Sequence, residues 1–191
     1  MNLSLLKTFR PSSTFARGRS LIHAECPIEQ TLRSDDPTVQ DELMREPWSR
    51  RSRPEGTLYV ADYNGLRLLG RSEAALDAAV EPLRRRLGVR IIIDAPSVRY
   101  VFGSSTLEPH MTVLLNGPAR HVAIVESYFL RRHGRIKRLD QRGSFILEGE
   151  ATLANLLGYR QWLRDLIQDD LCLGMWLSRY LPIDDDGPRD A

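Results

Sequence analysis

MTVLLNGPARHVAIVESYFLRRHGRIKRLDQRGSFILEGE, residues 111–150, changes its hydrophobic period twice, and that change decides the fold. Met111 to Leu115 is an apolar run suited to a strand, and Asn116-Gly117-Pro118 after it is a strong turn phrase. Ala119 to His133 then reads as a helix, because Val122, Val125 and Phe129 recur on one face and Gly134 follows as a candidate C-cap. Arg131, Arg132 and His133 fall in its last turn, where positive charge suits the helix dipole. Arg135 to Gln141 and Phe145 to Gly149 form a hairpin across Arg142-Gly143-Ser144.

Downstream, Leu153 to Ile167 presents Leu153, Leu156, Leu157, Leu163, Leu166 and Ile167 at helical spacings. Leu171 to Tyr180 closes the unit as a strand, with Leu171, Leu173, Met175 and Leu177 alternating against Cys172, Gly174, Trp176 and Ser178. Two helices with apolar stripes are buried most economically on one face of a four-stranded sheet. The order is β-α-β-β-α-β, the ferredoxin-like arrangement of an α+β fold.

Upstream the same logic recurs. Thr57 to Ala61 and Leu66 to Leu69 read as hairpin strands around Tyr63-Asn64-Gly65. Ser72 is a plausible cap for a helix over Glu73 to Leu87, whose stripe is Leu76, Val80, Leu83 and Leu87, with Pro82 expected to bend it. Val89 to Ile93 is a nearly continuous apolar strand ended by Asp94-Ala95-Pro96. A helix over Pro37 to Glu46 and a strand over Arg19 to Cys26 would complete a second βαββαβ unit. The expected organisation is a basic arm over 1–18, two ferredoxin-like sandwiches in tandem over 19–103 and 107–183, and an acidic tail over 184–191.

The 191 residues are 42% hydrophobic, enough to bury two small cores. The formal net charge of +2 singles out no partner, but its distribution is uneven. Arg120 to Arg142 holds seven basic residues against Glu126 and Asp140, whereas Asp165 to Asp190 holds seven carboxylates against Arg179 and Arg189. No apolar run reaches the roughly 18 residues of a membrane span, so no membrane partner is expected. Met1 to Ala24 has four basic residues and no acid before Glu25, which fits an ordinary basic arm on a cytoplasmic protein or a mitochondrial transit segment. Cys26 and Cys172 stand far apart and read as unpaired thiols.

Leu107-Glu108-Pro109-His110-Met111, Arg131-Arg132-His133-Gly134-Arg135-Ile136, Gln141-Arg142-Gly143, Leu157-Gly158-Tyr159 and Met175-Trp176-Leu177-Ser178-Arg179-Tyr180 resemble, in the same order, the C-terminal domain of the elongation factor G family. Leu69 to Asp77, leading through Val80, Leu83, Arg84-Arg85, Leu87 and Val89 to Ala95-Pro96-Ser97-Val98-Arg99-Tyr100, resembles the third domain of the same family. Gly70, Glu73, Leu76, Pro96, Val98 and Tyr100 match by position, while Ser72 and Ala75 depart. The family's fourth domain normally lies between these two, yet Tyr100-Val101-Phe102-Gly103 passes almost directly to Leu107. The resemblance implies domains that brace a factor between ribosomal subunits, the last of them close to large-subunit RNA.

The family's nucleotide domain has no counterpart: no G-x-x-x-x-G-K-[ST] loop occurs, so no nucleotide, cofactor or catalytic role is expected. His23, His110, His121 and His133 lack the spacing of a common metal site. Glu148 and Glu150 share one side of a strand and read as a solvated sheet surface, and Cys172 has no evident histidine to activate it. The signal that remains is basic. Arg131, Arg132, Arg135, Lys137, Arg138 and Arg142, with Arg84 and Arg85 as a second patch, suit the phosphates of structured RNA or the ribosome. Trp162, Trp176 and Tyr180 are the candidates for a protein interface, Trp176 on an open sheet face. The expected function is a noncatalytic ribosome-associated or structured-RNA-binding protein, the alternative a structural or adaptor subunit of a protein complex.

Overall fold

The computed structural model describes residues 25–45, 55–167 and 171–183. The arm over 1–18, the tail over 184–191 and most of the strand expected over Arg19 to Cys26 lie outside these residues.

Among the described residues the first strand is β1, Ile28–Arg33, and Glu25 and Cys26 precede it outside any strand. Its inward phase reads Ile28, Gln30, Leu32, and the polar middle member hides the alternation in the sequence. The structure accommodates Gln30 through its side-chain amide, which donates to the Asp94 carbonyl at 2.9 Å. α1 (Pro37–Arg45) starts with proline at its first position, and the Asp36 carboxylate accepts from the Thr38 N–H at 2.9 Å. β2 (Thr57–Asp62) and β3 (Gly65–Gly70) form the expected hairpin. Gly65 (φ 141°) is required twice, since a Cβ there would also lie 2.3 Å from the Leu32 carbonyl oxygen of the next strand. α2 (Glu73–Leu87) is capped by Ser72, whose hydroxyl accepts from the Ala75 N–H at 3.2 Å, and it continues through Pro82.

Val89 does not belong to a strand. Gly88–Arg90 is a short 3-10 turn with Val89 wholly exposed, and the edge is built from β4 (Ile92–Ile93) and, past the Asp94-Ala95-Pro96 break, β5 (Ser97–Val98). Both fragments pair with β1, so the proline displaces the strand without ending it. The sheet order is β2-β3-β1-β4, antiparallel throughout.

β6 (Val101–Phe102) already pairs with β7 (Thr106–Pro118) in the second sheet. The chain therefore crosses between sheets at Arg99 and Tyr100, slightly before the division expected near Gly103. Asn116-Gly117-Pro118 is not a turn but the end of β7, paired with Ser144 to Ile146. Gly117 serves packing here: a Cβ would sit 2.3 Å from Leu171 Cδ2. After a 3-10 turn over Ala119–His121 comes α3 (Val122–Arg131). Its left-handed C-terminal residue is His133 (φ 54°), not Gly134. The His133 and Gly134 amides return to the Leu130 and Phe129 carbonyls at 2.9 Å each, a Schellman ending.

β8 (Arg135–Arg142) and β9 (Ser144–Thr152) turn at Gly143 as expected. The single helix expected over Leu153 to Ile167 is two, α4 (Leu153–Leu156) and α5 (Tyr159–Leu166), because Gly158 takes a left-handed φ of 75°. β10 (Cys172–Pro182) completes a second antiparallel sheet of order β10-β7-β9-β8. In both sheets the first strand is flanked by the fourth and third and the second lies outermost, which is the ferredoxin-like order. The fold is α+β, two such units in tandem. The helices cover one face of the second sheet, where Met111, Val113, Leu115, Phe129, Phe145, Leu147 and Tyr159 are buried with no exposure.

Candidate nucleic-acid interface

β8 forms the outer edge of the second sheet and carries Arg135, Lys137, Arg138 and Arg142. Its register slips between Ile136 and Arg138, so Lys137 is the bulged residue. Charge and a bulge on an outer strand also keep that edge from pairing with other chains, a structural role any ligand role must coexist with.

The structure divides the expected basic patch into engaged and free members. Arg132 turns inward: its guanidinium donates to the Asn155 and Leu157 carbonyls at 3.1 and 3.3 Å and to the Tyr128 hydroxyl at 2.7 Å, and so ties the end of α3 to the break between α4 and α5. Lys137 pairs with Glu150, which also receives Arg179 at 3.4 Å. Hydrogen bonding and charge from Lys137 hold the Glu150 carboxyl below the usual range. Arg138 pairs with Asp140. Arg135 and Arg142 are exposed with no ion pair among the described residues, and Arg131 is exposed with its guanidinium 5.6 Å from the Tyr128 ring centre. In the other domain Arg84 is exposed, whereas Arg85 pairs with Glu81 one helical turn away at 2.8 Å.

The three aromatic candidates do not share a surface. Trp162 stacks on Tyr128 in the helix layer, with ring centres 3.4 Å apart and planes within 3°. Tyr180 lies near Arg99 and Cys26, and burial pushes its hydroxyl up to about 12. Only Trp176 projects from the open sheet face, 48% exposed. Cross-strand register sets Thr112, Glu150 and Arg135 in line with it, and Leu114, Glu148 and Arg138 in the next row. Leu114 and Ile146, 38% and 40% exposed, extend Trp176 into a diagonal apolar stripe over three strands. Glu148 and Glu150 share this side of the strand as expected, but Glu150 is not a solvated surface group, since Lys137 and Arg179 cover its carboxylate and leave the side chain 12% exposed.

Two arginines escaped that reading. Arg160 and Arg164 lie one turn apart on α5 and, with Glu73, Asp77, Gln30 and Gln161, line a cleft of about 150 Å³ between the domains. Their spacing of four was the available signal, but nothing in the sequence says that α5 faces α2. Glu73 accepts from the Gly158 N–H across this boundary at 2.9 Å, its second oxygen is buried without a partner, and burial raises its carboxyl above the usual range.

Cys26 is buried, which pushes its thiol up and away from reactivity, and Cys172 is exposed. Among the described residues no cluster of His, Cys, Asp and Glu is arranged to hold a metal ion, and no helix is long and apolar enough to cross a membrane. What the site offers chemically is the exposed guanidiniums of Arg135 and Arg142 on β8, that of Arg131 at the end of α3, and an apolar stripe on the open sheet face. No protein-family model matches the chain, and comparison with curated proteins likewise gives no match.

Proposed function

We propose that the protein is a noncatalytic ribosome-associated or structured-RNA-binding protein related to translation elongation factors, contacting phosphate through Arg131, Arg135 and Arg142. The observation that carries this reading is that these three guanidiniums are exposed and held in no ion pair among the described residues, Arg131 in the last turn of α3 and Arg135 and Arg142 at the two ends of β8. The ordered resemblance of both halves to elongation factor G domains, and their two ferredoxin-like folds in tandem, support it. Guanidinium forks fit phosphate oxygens and read backbone rather than sequence. With no phosphate loop in the sequence, docking on this reading has no GTP-driven release step, and the protein works in the cytoplasm.

The test is cosedimentation with ribosomes and binding to structured RNA over a salt series, comparing wild type with an Arg131→Gln, Arg135→Gln, Arg142→Gln triple variant. Affinity should fall across all RNA sequences, and the salt slope should shrink by roughly 0.7–0.9 for each phosphate no longer neutralised. Unchanged affinity and slope in a folded variant would return β8 to edge protection alone. The second reading, an adaptor subunit, is favoured by the stripe of Trp176, Leu114 and Ile146. It predicts that Trp176→Ser abolishes a protein complex and leaves RNA affinity untouched.

A further inference from the structure

We propose that Glu73 and Asp77 on α2 and Arg160 and Arg164 on α5 form a two-rung charge latch between the domains, resting unlatched in this structure. Each pair is spaced by four residues on its helix, so each presents two like charges on one face. The two faces meet across the cleft that all four residues line. A neighbouring cleft fixes the register: it is lined by Ser72, Glu73, Ala74 and Arg160 but by neither Asp77 nor Arg164. Arg160 therefore lies by the start of α2, which leaves Asp77 and Arg164 as the remaining pair across the first cleft. The rungs are Glu73 with Arg160 and Asp77 with Arg164.

No ion pair joins the two sets, although all four are described residues. Glu73 shows what closing would supply. One of its oxygens already accepts from the Gly158 amide across the boundary, while the other is buried and unsatisfied. Buried polar atoms are almost always paired, and the nearest change that satisfies this one brings Arg160 onto it. Closing the second rung then neutralises Asp77. The latch sets the angle between the domains, and with it the geometry either domain offers to a partner.

The Gly158 amide is the reporter, because its bond to Glu73 crosses the boundary, whereas the Leu147 amide in the β9 ladder reports global unfolding. Hydrogen exchange of the full chain at low ionic strength is compared for wild type, Asp77→Lys, Arg164→Glu and the double reversal. Each single reversal should speed exchange at Gly158 about fivefold and leave Leu147 unchanged; the double reversal should restore the wild-type rate, and 0.5 M salt should erase the differences. If exchange at Leu147 also accelerates, the milder Asp77→Asn and Arg164→Gln replace the reversals, with a smaller loss expected from each and no further loss from their combination. Single variants that leave Gly158 unchanged, or a double reversal that fails to restore it, overturn the proposal.

Discussion

Gly149→Ala should be among the most damaging small changes in the second domain, and the reason is a single ring. Phe129 is fully buried, and its Cε1 would lie 2.5 Å from a Cβ at Gly149 and equally 2.5 Å from one at Gly134. A methyl at Gly149 would also meet Phe129 Cζ at 2.8 Å and the Arg135 carbonyl oxygen at 2.9 Å, against ordinary contacts of 3.4–4 Å. The ring cannot retreat, because Gly134 packs on one side and the tilted Tyr159 ring lies 6.1 Å away on another. Nor can the carbonyl, which belongs to the β8–β9 ladder. Gly149 has no positive φ, so the backbone accepts alanine and the packing effect stands alone. Overpacking costs about 1–3 kcal/mol, and the backbone contact puts this site near the upper end. Removing glycine's unfolded-state entropy returns about 0.4–1 kcal/mol, leaving a net loss of about 2 kcal/mol. That is a fall in melting temperature of about 8–16 °C for a domain of this size. Urea denaturation with an unchanged m-value is the assay, with Phe129→Leu as the second arm of a double-mutant cycle. The double variant should lose at least 1 kcal/mol less than the sum of the singles, since leucine vacates the space the methyl needs. A Gly149→Ala variant within about 0.5 kcal/mol of wild type, or an additive cycle, would refute the argument.

Three other expectations follow from individual side chains. The Tyr159 hydroxyl is fully buried without a partner, so Tyr159→Phe should stabilise the protein by about 1 kcal/mol in urea melts; a comparable loss would reveal a buried water bonded to it. Arg132→Lys should cost about 1–3 kcal/mol without altering RNA affinity, because a compact ammonium lacks the planar fork whose separate nitrogens reach the two carbonyls and the Tyr128 hydroxyl, whereas Arg135→Gln should do the reverse. Glu150 has its folded pKa lowered, chiefly by Lys137, so its contribution is present above the unfolded carboxylate value and is lost as pH falls through the folded one. Glu150→Gln should therefore be less stable than wild type at pH 7, by no more than about 1 kcal/mol, and the gap should close at acid pH; a gap that persists there would point to packing instead.

Local chemistry made much of the fold legible. The change of period between Met111 and Gly149, the Ser72 cap and the turns at Tyr63-Asn64-Gly65 and Gly143 rest on neighbours in the chain, so the sequence alone was enough to set two βαββαβ units in tandem. What it could not decide depended on atoms distant in the chain. Gly117 and Gly134 look like turn and cap residues, yet Leu171 and the Phe129 ring are what exclude a side chain there. Gln30 conceals β1 until the Asp94 carbonyl accepts from it, and Gly158 divides a continuous apolar stripe into two helices. The basic patch shows the same division. Composition found its residues, but a charge count cannot distinguish a guanidinium bound to two carbonyls from one facing solvent. Only tertiary packing, which brings the Asn155 and Leu157 carbonyls to Arg132 and leaves Arg135 and Arg142 outside any ion pair among the described residues, separates the residues that hold the domain together from those free to meet a partner.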